Sequence, residues 1–203
     1  MGWGATLDRA LVCTRAEDLD RLPEPRLPAG YRIREMDMGD AADVATWLSV
    51  HNEAFGRSWG VPEFEGAILG HPHFDVQRTF FVEDGDRALG EASIGVFRRN
   101  RAVGVGHYLA VSPAAQGLGL GRELVVHRYR ALRDGGIRQC ESHTHIGRVR
   151  SLRIHFECGF VPKLRFDEWN TPNTATAPMR VLTNARLRSL HRRWLREQRT
   201  APA

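Results

Sequence analysis

A single domain of the α/β (α+β) class, built on a mixed sheet flanked by helices, is what this chain predicts, and three observations carry that expectation. Short apolar or alternating runs are interleaved with helix-period segments along the chain instead of being gathered at one end. Asp84-Gly85-Asp86 lies between two such runs as a hairpin turn, so part of the sheet is antiparallel. Val105 to Val111, an apolar strand closed by Ser112-Pro113, leads through the glycine-rich Gln116 to Arg122 directly into a helix.

Leu7 to Thr14 reads as a strand or a helical turn. Leu22-Pro23-Glu24-Pro25-Arg26-Leu27-Pro28 is an extended linker, because proline fixes φ and withholds a donor, and residues 1–29 form an N-terminal arm and linker on this reading. Tyr31 to Met36 alternates as the first strand. Asp40 caps the helix that follows, with Val44, Trp47, Leu48 and Phe55 at helical spacing, and a second short helix runs from near Pro62 to Gly70. Thr79 to Asp84 and Ala88 to Ile94 are the second and third strands; Asn100 and Arg101 turn the chain into the fourth, Val105 to Val111. The next helix, Leu120 to Asp134, gathers Leu120, Leu124, Val125, Ala131 and Leu132 on one face and stops at Gly135-Gly136. Ile137 to Thr144 is the fifth strand, Ser151 to Phe156 a helix, Leu164 to Trp169 the last core strand and Asn170 to Pro178 a loop. Asn184 caps a final helix to about Gln198, with Leu187, Leu190, Trp194 and Leu195 on one side and six arginines around them.

At 203 residues the chain is long enough to bury a substantial core in one domain with extensions. No run of about 18 apolar residues exists to span a membrane, and Met1 to Thr6 lacks the charged start and apolar run of a leader. Cys13, Cys140 and Cys158 have no ligand or disulfide-framework spacing, which predicts reduced thiols and a cytoplasmic setting. Cys140 and Cys158 read as core residues with no activating partner in sequence. The net charge of +5 comes almost wholly from arginine, since lysine occurs once; it suits a ligand with several phosphates and also nucleic acid.

The loop Gln116-Gly117-Leu118-Gly119-Leu120-Gly121-Arg122 is the most informative stretch. Three alternating glycines let consecutive backbone N–H groups converge at a helix N-terminus, where the dipole favours an anion such as pyrophosphate. A nucleotide P-loop requires a lysine after the glycines, and none is present. A dinucleotide fold requires Gly-x-Gly-x-x-Gly early in the chain; here the third glycine comes too soon and several strands precede it.

The spacing Gln-x-x-Gly-x-Gly after a strand ending Leu-Ala-Val-Ser-Pro strongly resembles the motif Arg/Gln-x-x-Gly-x-Gly/Ala of the GNAT N-acetyltransferase superfamily. Upstream, Thr79 to Asp84 and Ala88 to Ile94 look like that family's second and third strands, and Ser151 to Phe160 resembles its block ending in Gly-Phe, here Gly159-Phe160. The resemblance covers about residues 30–168, which become the acetyltransferase domain, and leaves 169–203 as a C-terminal loop and basic amphipathic helix. It implies a single GNAT-fold domain whose mostly antiparallel sheet is splayed between the fourth and fifth strands. It also implies acetyl-CoA as cosubstrate, on Leu109, Ala110 and Val111 and on the loop Gln116, Gly117, Leu118, Gly119, Leu120, Gly121 and Arg122. Arg148 and Ser151 are assigned to the same cofactor. In the family a backbone N–H at a position such as Leu109 stabilises the oxyanion, a contribution of about 3 kcal/mol in related acyl chemistry.

Many family members carry a glutamate base on the fourth strand, where this chain has Val105. His107, two residues on, resembles one histidine of the arylalkylamine acetyltransferases, and an imidazole near its reference pKa of about 6.5 suits proton removal; a hydrogen bond inside the sheet is the alternative use. Glu91, Glu141 and His143 are the reserve bases. The family's acid is a tyrosine, and counting back from Gly159-Phe160 that slot is His155. Either His155 protonates the thiolate or the thiolate leaves unaided. His143 and His145 share a strand face and line a substrate cleft on this reading, with no metal expected.

The resemblance points to acetyl transfer to a primary amine of a small molecule by direct attack in a ternary complex. It extends, more weakly, to the tandem-domain enzymes that acetylate the mycothiol precursor, through Asn52-Glu53-Ala54-Phe55 and Pro113-Ala114-Ala115-Gln116; with only one CoA loop, that function is not adopted. The alternatives are acetylation of a peptide or protein N-terminus and a non-catalytic CoA sensor or scaffold. Nucleic acid is not expected as a partner, because the arginine-rich helix has an apolar face for the core or for a second subunit, as in a homodimer.

Overall fold

The computed structural model describes residues 11–163 and 177–200. In chain order the elements are β1 (Leu11–Ala16), β2 (Tyr31–Glu35), α1 (Ala41–Phe55), α2 (Val61–Phe64, running on as a π-turn segment Glu65–Leu69), β3 (Phe74–Asp84), β4 (Arg87–Phe97), β5 (Val103–Val111), α3 (Leu120–Asp134), β6 (Gln139–His145), α4 (Val149–Glu157), β7 (Val161–Lys163) and α5 (Ala177–Thr200). One sheet of order β2-β3-β4-β5-β6-β1-β7 holds all the described strands. Every pair is antiparallel except β5 with β6, so the predicted mixed, mostly antiparallel sheet flanked by helices is what forms. No helix among the described residues is long and apolar enough to cross a membrane.

Local chemistry sets the boundaries. The Asp40 side chain accepts the Ala42 N–H at 3.0 Å and starts α1, which ends where Gly56 turns left-handed at φ 60°. β4 is buried along its length from Leu89 to Phe97 and carries a helix layer on each face. On one face Leu120, Leu124, Val125, Val126, Tyr129 and Leu132 of α3 pack on Phe80, Val82, Ala92 and Ile94. On the other, Trp47 of α1 meets Phe64, Ile68 and Phe81. Each large apolar side chain so buried contributes about 1.5–3 kcal/mol, which makes these two layers the main support of the sheet.

Three expectations are changed. Residues 11–22, inside the stretch expected to be an arm, are built into the fold: β1 pairs with both β6 and β7, and Leu19 and Leu22 enter the main core. The following linker is strapped across α3, where the Arg26 N–H donates to Glu123 at 2.5 Å and Arg130 meets Glu24 at 3.0 Å. The final helix starts at Ala177, before Asn184, so Ala177 and Pro178 are helical and not loop. Proline is tolerated there because the first turn needs no intrahelical N–H. On α5, Leu187 is buried and Leu190 and Trp194 pack with Ile146, Leu152 and Phe156, while Leu195 is turned outward, 39% exposed. The strand expected at Leu164 to Trp169 lies outside the described residues, as does the loop from Asn170 to residue 176.

Arg34 ties β2 to both neighbours. Its guanidinium donates to Asp43 of α1 at 2.6 and 2.7 Å and to Glu83 of β3 at 2.6 Å. The bond from Arg34 holds the Asp43 carboxyl below the usual carboxylate range. Arg34→Ala is expected to cost about 2 kcal/mol in urea unfolding at pH 7. That is less than the 3–5 kcal/mol typical of a broken buried pair, because Arg34 is itself 36% exposed and Glu83 keeps Arg32. A depressed carboxylate stabilises only while ionised, so the gap between wild type and variant should narrow as pH falls below about 4.

Candidate functional site

β5 and β6 are paired only from Val103↔Gln139 to Gly106↔Ser142. Beyond that point they part, and a cavity of about 430 Å³ opens between them, closed by residues of α1, α3 and α4. The parting coincides with a bulge. Ala92 faces Leu109 and Ser93 faces His107, which leaves Tyr108 without a partner on β4. Tyr108 has φ 38°, the only positive value at a non-glycine among the described residues. Backbone strain of this kind costs about 1–3 kcal/mol and concentrates at functional sites. The Tyr108 ring is anchored among Trp47, His51 and Trp59, with centroids 5.8, 5.0 and 5.9 Å away. After the bulge, the Ser112 N–H is spent on the Leu89 carbonyl. Alternation then keeps Ala110 toward β4 and turns the peptide groups of Leu109 and Val111 to the open gap.

The glycine-rich loop follows the end of β5, and Gly121 at the start of α3 lies 3.4 Å from Val111. Gly117 and Gly119 hold φ of 90° and 82°, and α3 starts immediately after Gly119. A Cβ at either glycine would meet nothing within 4 Å, so space beside the loop is open. The Arg122 amide is spent on the Gly119 carbonyl at 2.9 Å, and its guanidinium is drawn to Glu123 and Glu157. This narrows the expected cradle: the amides from Gly117 to Gly121 remain for a ligand, and that of Arg122 does not. Gln116 is turned back, its side-chain N–H donating to the Val111 carbonyl at 3.3 Å. Leu118 is 47% exposed.

His107 and His155 both line the cavity, together with Arg148 and Ser151. His107 Nε2 donates to the Ala67 carbonyl at 3.1 Å, leaving the lone pair on Nδ1. The expectation of a ring near its reference pKa is not met: burial, with His71 beside it, pushes His107 down to about 3. His155 departs further from its expected role. Its Nδ1–H donates to the Ser151 carbonyl at 2.7 Å, so Nε2 is an acceptor, receiving the Tyr129 hydroxyl at 2.8 Å and an Arg128 N–H at 3.2 Å. Burial and the Arg128 charge lower it to about 3. In this arrangement the imidazole is neutral at pH 7 and holds no proton free for a leaving group. Arg148 lies over the Phe55 ring at 4.9 Å; burial and the nearby Arg57 lower its pKa.

Two carboxylate–imidazole pairs flank the gap. His143, on the cavity wall, has Nε2 3.4 Å from Glu141. Although burial opposes it, bonds to His143 and Lys163 hold Glu141 below the ordinary range. Behind Tyr108, His51 Nδ1 lies 3.3 Å from Glu91, whose burial raises its pKa. Cys140 and Cys158 sit in the core as expected, with burial pushing the Cys158 thiol up to about 12.

The residues that sequence reasoning missed are Arg128, Tyr129, His51 and the bulged Tyr108. A signal for Arg128 was present: it falls between Leu124 and Leu132 at four-residue spacing, a charge on an apolar helix face. Nothing comparable marks the bulge, which depends on the register with β4.

Residues 44–160 match the model of the acetyltransferase (GNAT) family. The mycothiol acetyltransferase of Parafrankia sp. (strain EAN1pec) is 30% identical over 176 residues, covering 76% of this chain and 53% of that protein. The chain thus spans about half the length of the curated relatives it matches. Two solved structures share the fold. The GCN5-related N-acetyltransferase of Sphaerobacter thermophilus superposes with TM-score 0.59 at 18% identity, over 76% of this chain and 49% of that one. A tandem GNAT protein from the clavulanic acid biosynthesis pathway gives 0.58 at 18% identity, over 76% and 50%.

Gly106 makes room for the cluster below the cavity, since a Cβ there would overlap the Tyr129 hydroxyl and press on Arg128. Gly106→Ala is expected to destabilise by about 1–3 kcal/mol, as overpacking does. Gly121→Ala, inside α3 and 3.4 Å from Val111, should be neutral or slightly stabilising. Thermal unfolding of the two variants checks the contrast; equal melting temperatures would contradict it.

Proposed function

The chain belongs to the acetyltransferase (GNAT) family, and we propose that it is an N-acetyltransferase moving an acetyl group from acetyl-CoA to a primary amine of a small molecule by direct attack in a ternary complex. One observation carries this reading: β5 has already parted from β6 where it leads, through Pro113–Ala115, into uncommitted amides at the N-terminus of α3. A ligand with a pyrophosphate head and a long thin arm fits that combination, the head on the amides of Gly117 to Gly121 and the arm along Leu109 to Val111. Acetyl-CoA supplies an activated acetyl thioester; this chain's residues hold, orient and exchange protons around it.

The Leu109 N–H, turned toward the gap, is the donor for a carbonyl oxygen gaining charge. Proton removal from the amine is assigned to His143, whose Nε2 lies 3.4 Å from Glu141, in preference to His107, which burial has depressed. His107 then serves as an acceptor that orients the amine through Nδ1. Arg148 and Ser151, at the start of α4, remain assigned to the cofactor side of the cavity. The small-molecule reading is supported by the cavity of about 430 Å³ and by relatives named for mycothiol, and its acceptor belongs in a screen that includes mycothiol-related amines. A cytoplasmic setting agrees with the free, buried Cys140 and Cys158.

Gly119→Val places a β-branched side chain at φ 82° in the space reserved for the pyrophosphate. CoA affinity by calorimetry should fall at least about tenfold in a folded protein, through strain and exclusion together; undiminished affinity would remove the cradle. With acetyl-CoA and a panel of amines, aminoglycosides and peptides, thiol release should appear for at least one small amine. For that acceptor, His143→Ala should lower kcat at pH 7 by roughly 10²-fold, recovering as pH rises, because more amine is then already neutral. His107→Ala should weaken turnover without moving the acid limb of the profile, since a ring titrating at about 3 does not change charge there. An acid limb abolished by His107→Ala would return the base role to His107.

A further inference from the structure

Arg128 is 1% exposed yet lines the wall of the cavity. One end of its guanidinium donates to the carbonyls of Tyr108 (2.6 Å) and His107 (3.4 Å), the other to the Tyr129 hydroxyl (2.9 Å) and His155 Nε2 (3.2 Å). Its Nε–H has no partner, and no carboxylate among the described residues forms an ion pair with it. The neighbouring arginines of α3 differ: Arg122 is paired with Glu123 and Glu157, Arg130 with Glu24 and Arg133 with Asp134. Burying a guanidinium among neutral acceptors costs several kcal/mol, and buried charges in proteins are otherwise paired. Buried Glu91 acts on Arg128 only through space, is bonded to His51 and is held toward its neutral form by burial, so a negative charge entering the cavity would complete the pairing.

Resting on the acetyl-transfer reading above, we infer that Arg128 is the fixed positive charge that receives the thiolate released from the thioester, so that the sulfur leaves unprotonated and no side chain serves as its acid. In balance, the amine nitrogen forms a bond to the acetyl carbon, the carbon–sulfur bond breaks, and its electron pair stays on sulfur. The amine proton goes to the His143–Glu141 pair. The thiolate takes its proton from water after release. The side chains bonded to Arg128 offer no free proton, and of the other hydroxyls on the cavity wall burial raises Tyr108 and Ser142 is bonded to Tyr129. His155 Nδ1–H is held by Ser151, and the Tyr129 hydroxyl is turned to His155. Burial pushes Tyr129, Cys140 and Cys158 up and brings His107 and His155 down, and Glu91, raised by burial, is bonded to His51.

The test needs no acceptor. Affinities of CoA and of desulfo-CoA, which lacks the sulfur, are measured on the full chain by calorimetry from pH 6 to 9. Titration of the protein's own groups acts on both ligands and cancels in their ratio. A free cysteine thiol has a pKa of about 8.5 and the CoA thiol titrates above it; a site that favours its thiolate lowers that value, so CoA gains on desulfo-CoA as pH rises, by up to about tenfold for each unit of lowering. We expect at least a tenfold gain in wild type. Arg128→Gln should abolish the gain while keeping desulfo-CoA affinity, which also reports that the variant is folded. A flat ratio in wild type overturns the inference even if the variant fails to fold, and so does a gain that persists in folded Arg128→Gln. Failure of both ligands to bind wild type would overturn the acetyl-CoA reading itself, a result distinct from a flat ratio.

Discussion

Because Tyr108 has no counterpart on β4, β5 changes its facing within two residues, and the rest of the site depends on that displacement. Before the bulge, β5 is an ordinary interior strand bonded to β4 on one side and β6 on the other. After it, β5 keeps β4 and loses β6, so backbone polar groups that a closed sheet would consume are turned to a cavity. Such groups are expensive to leave unpaired in an interior, so an extended ligand that paired with them would be favoured. The strained residue is held in place from both sides: its ring by Trp47, His51 and Trp59, its carbonyl by Arg128 at 2.6 Å. Gly106 completes the device, since the absence of a side chain there admits the Tyr129 hydroxyl and the Arg128 fork directly beneath the point of parting.

The same buried guanidinium sets the electrostatic character of the cavity. Its field, added to burial, keeps His107 and His155 neutral, so two residues that look like acid–base groups act as hydrogen-bonding groups. Charge separation is thereby concentrated at two places, Arg128 on one wall and Glu141 with His143 on the other. Glu141 tolerates burial because Lys163 of β7 and Arg15 of β1 converge on it. The strand pair β1–β7 thus contributes more than sheet width, since it carries the cations that keep a carboxylate ionised behind the cavity.

The N-terminal segment has a second structural role. After β1 the chain inserts Leu19 and Leu22 into the main core and crosses α3, bonded to Glu123, Arg122 and Arg130. Those contacts fix the helix whose N-terminus carries the glycine-rich loop. Arg122 is held by Glu123 and Glu157, with the Glu24 carbonyl at 3.4 Å, so the proposed cradle relies on backbone amides and the helix dipole rather than on a mobile cation. A cradle made of main chain is preorganised by the two left-handed glycines and needs no side chain to be ordered when an anion arrives.

The sequence by itself determined the class of fold, the order of the central strands and helices, and the glycine loop, because each is written in local signals. Asp40 caps, Gly135-Gly136 terminates, Asp84-Gly85-Asp86 turns, and apolar spacing identifies the buried faces. The family resemblance carried the parting of two strands and the cofactor it implies. Only the tertiary structure decided that Leu11–Ala16 belongs between β6 and β7, that Tyr108 is bulged, and that His155 accepts protons' hydrogen bonds from Arg128 and Tyr129 instead of offering its own. Strand position and register are settled by partners more than a hundred residues away, as Cys13 and His143 are. The ionisation of a side chain is settled by burial and by charges brought near it through folding, and neither quantity exists in the unfolded chain that a sequence describes.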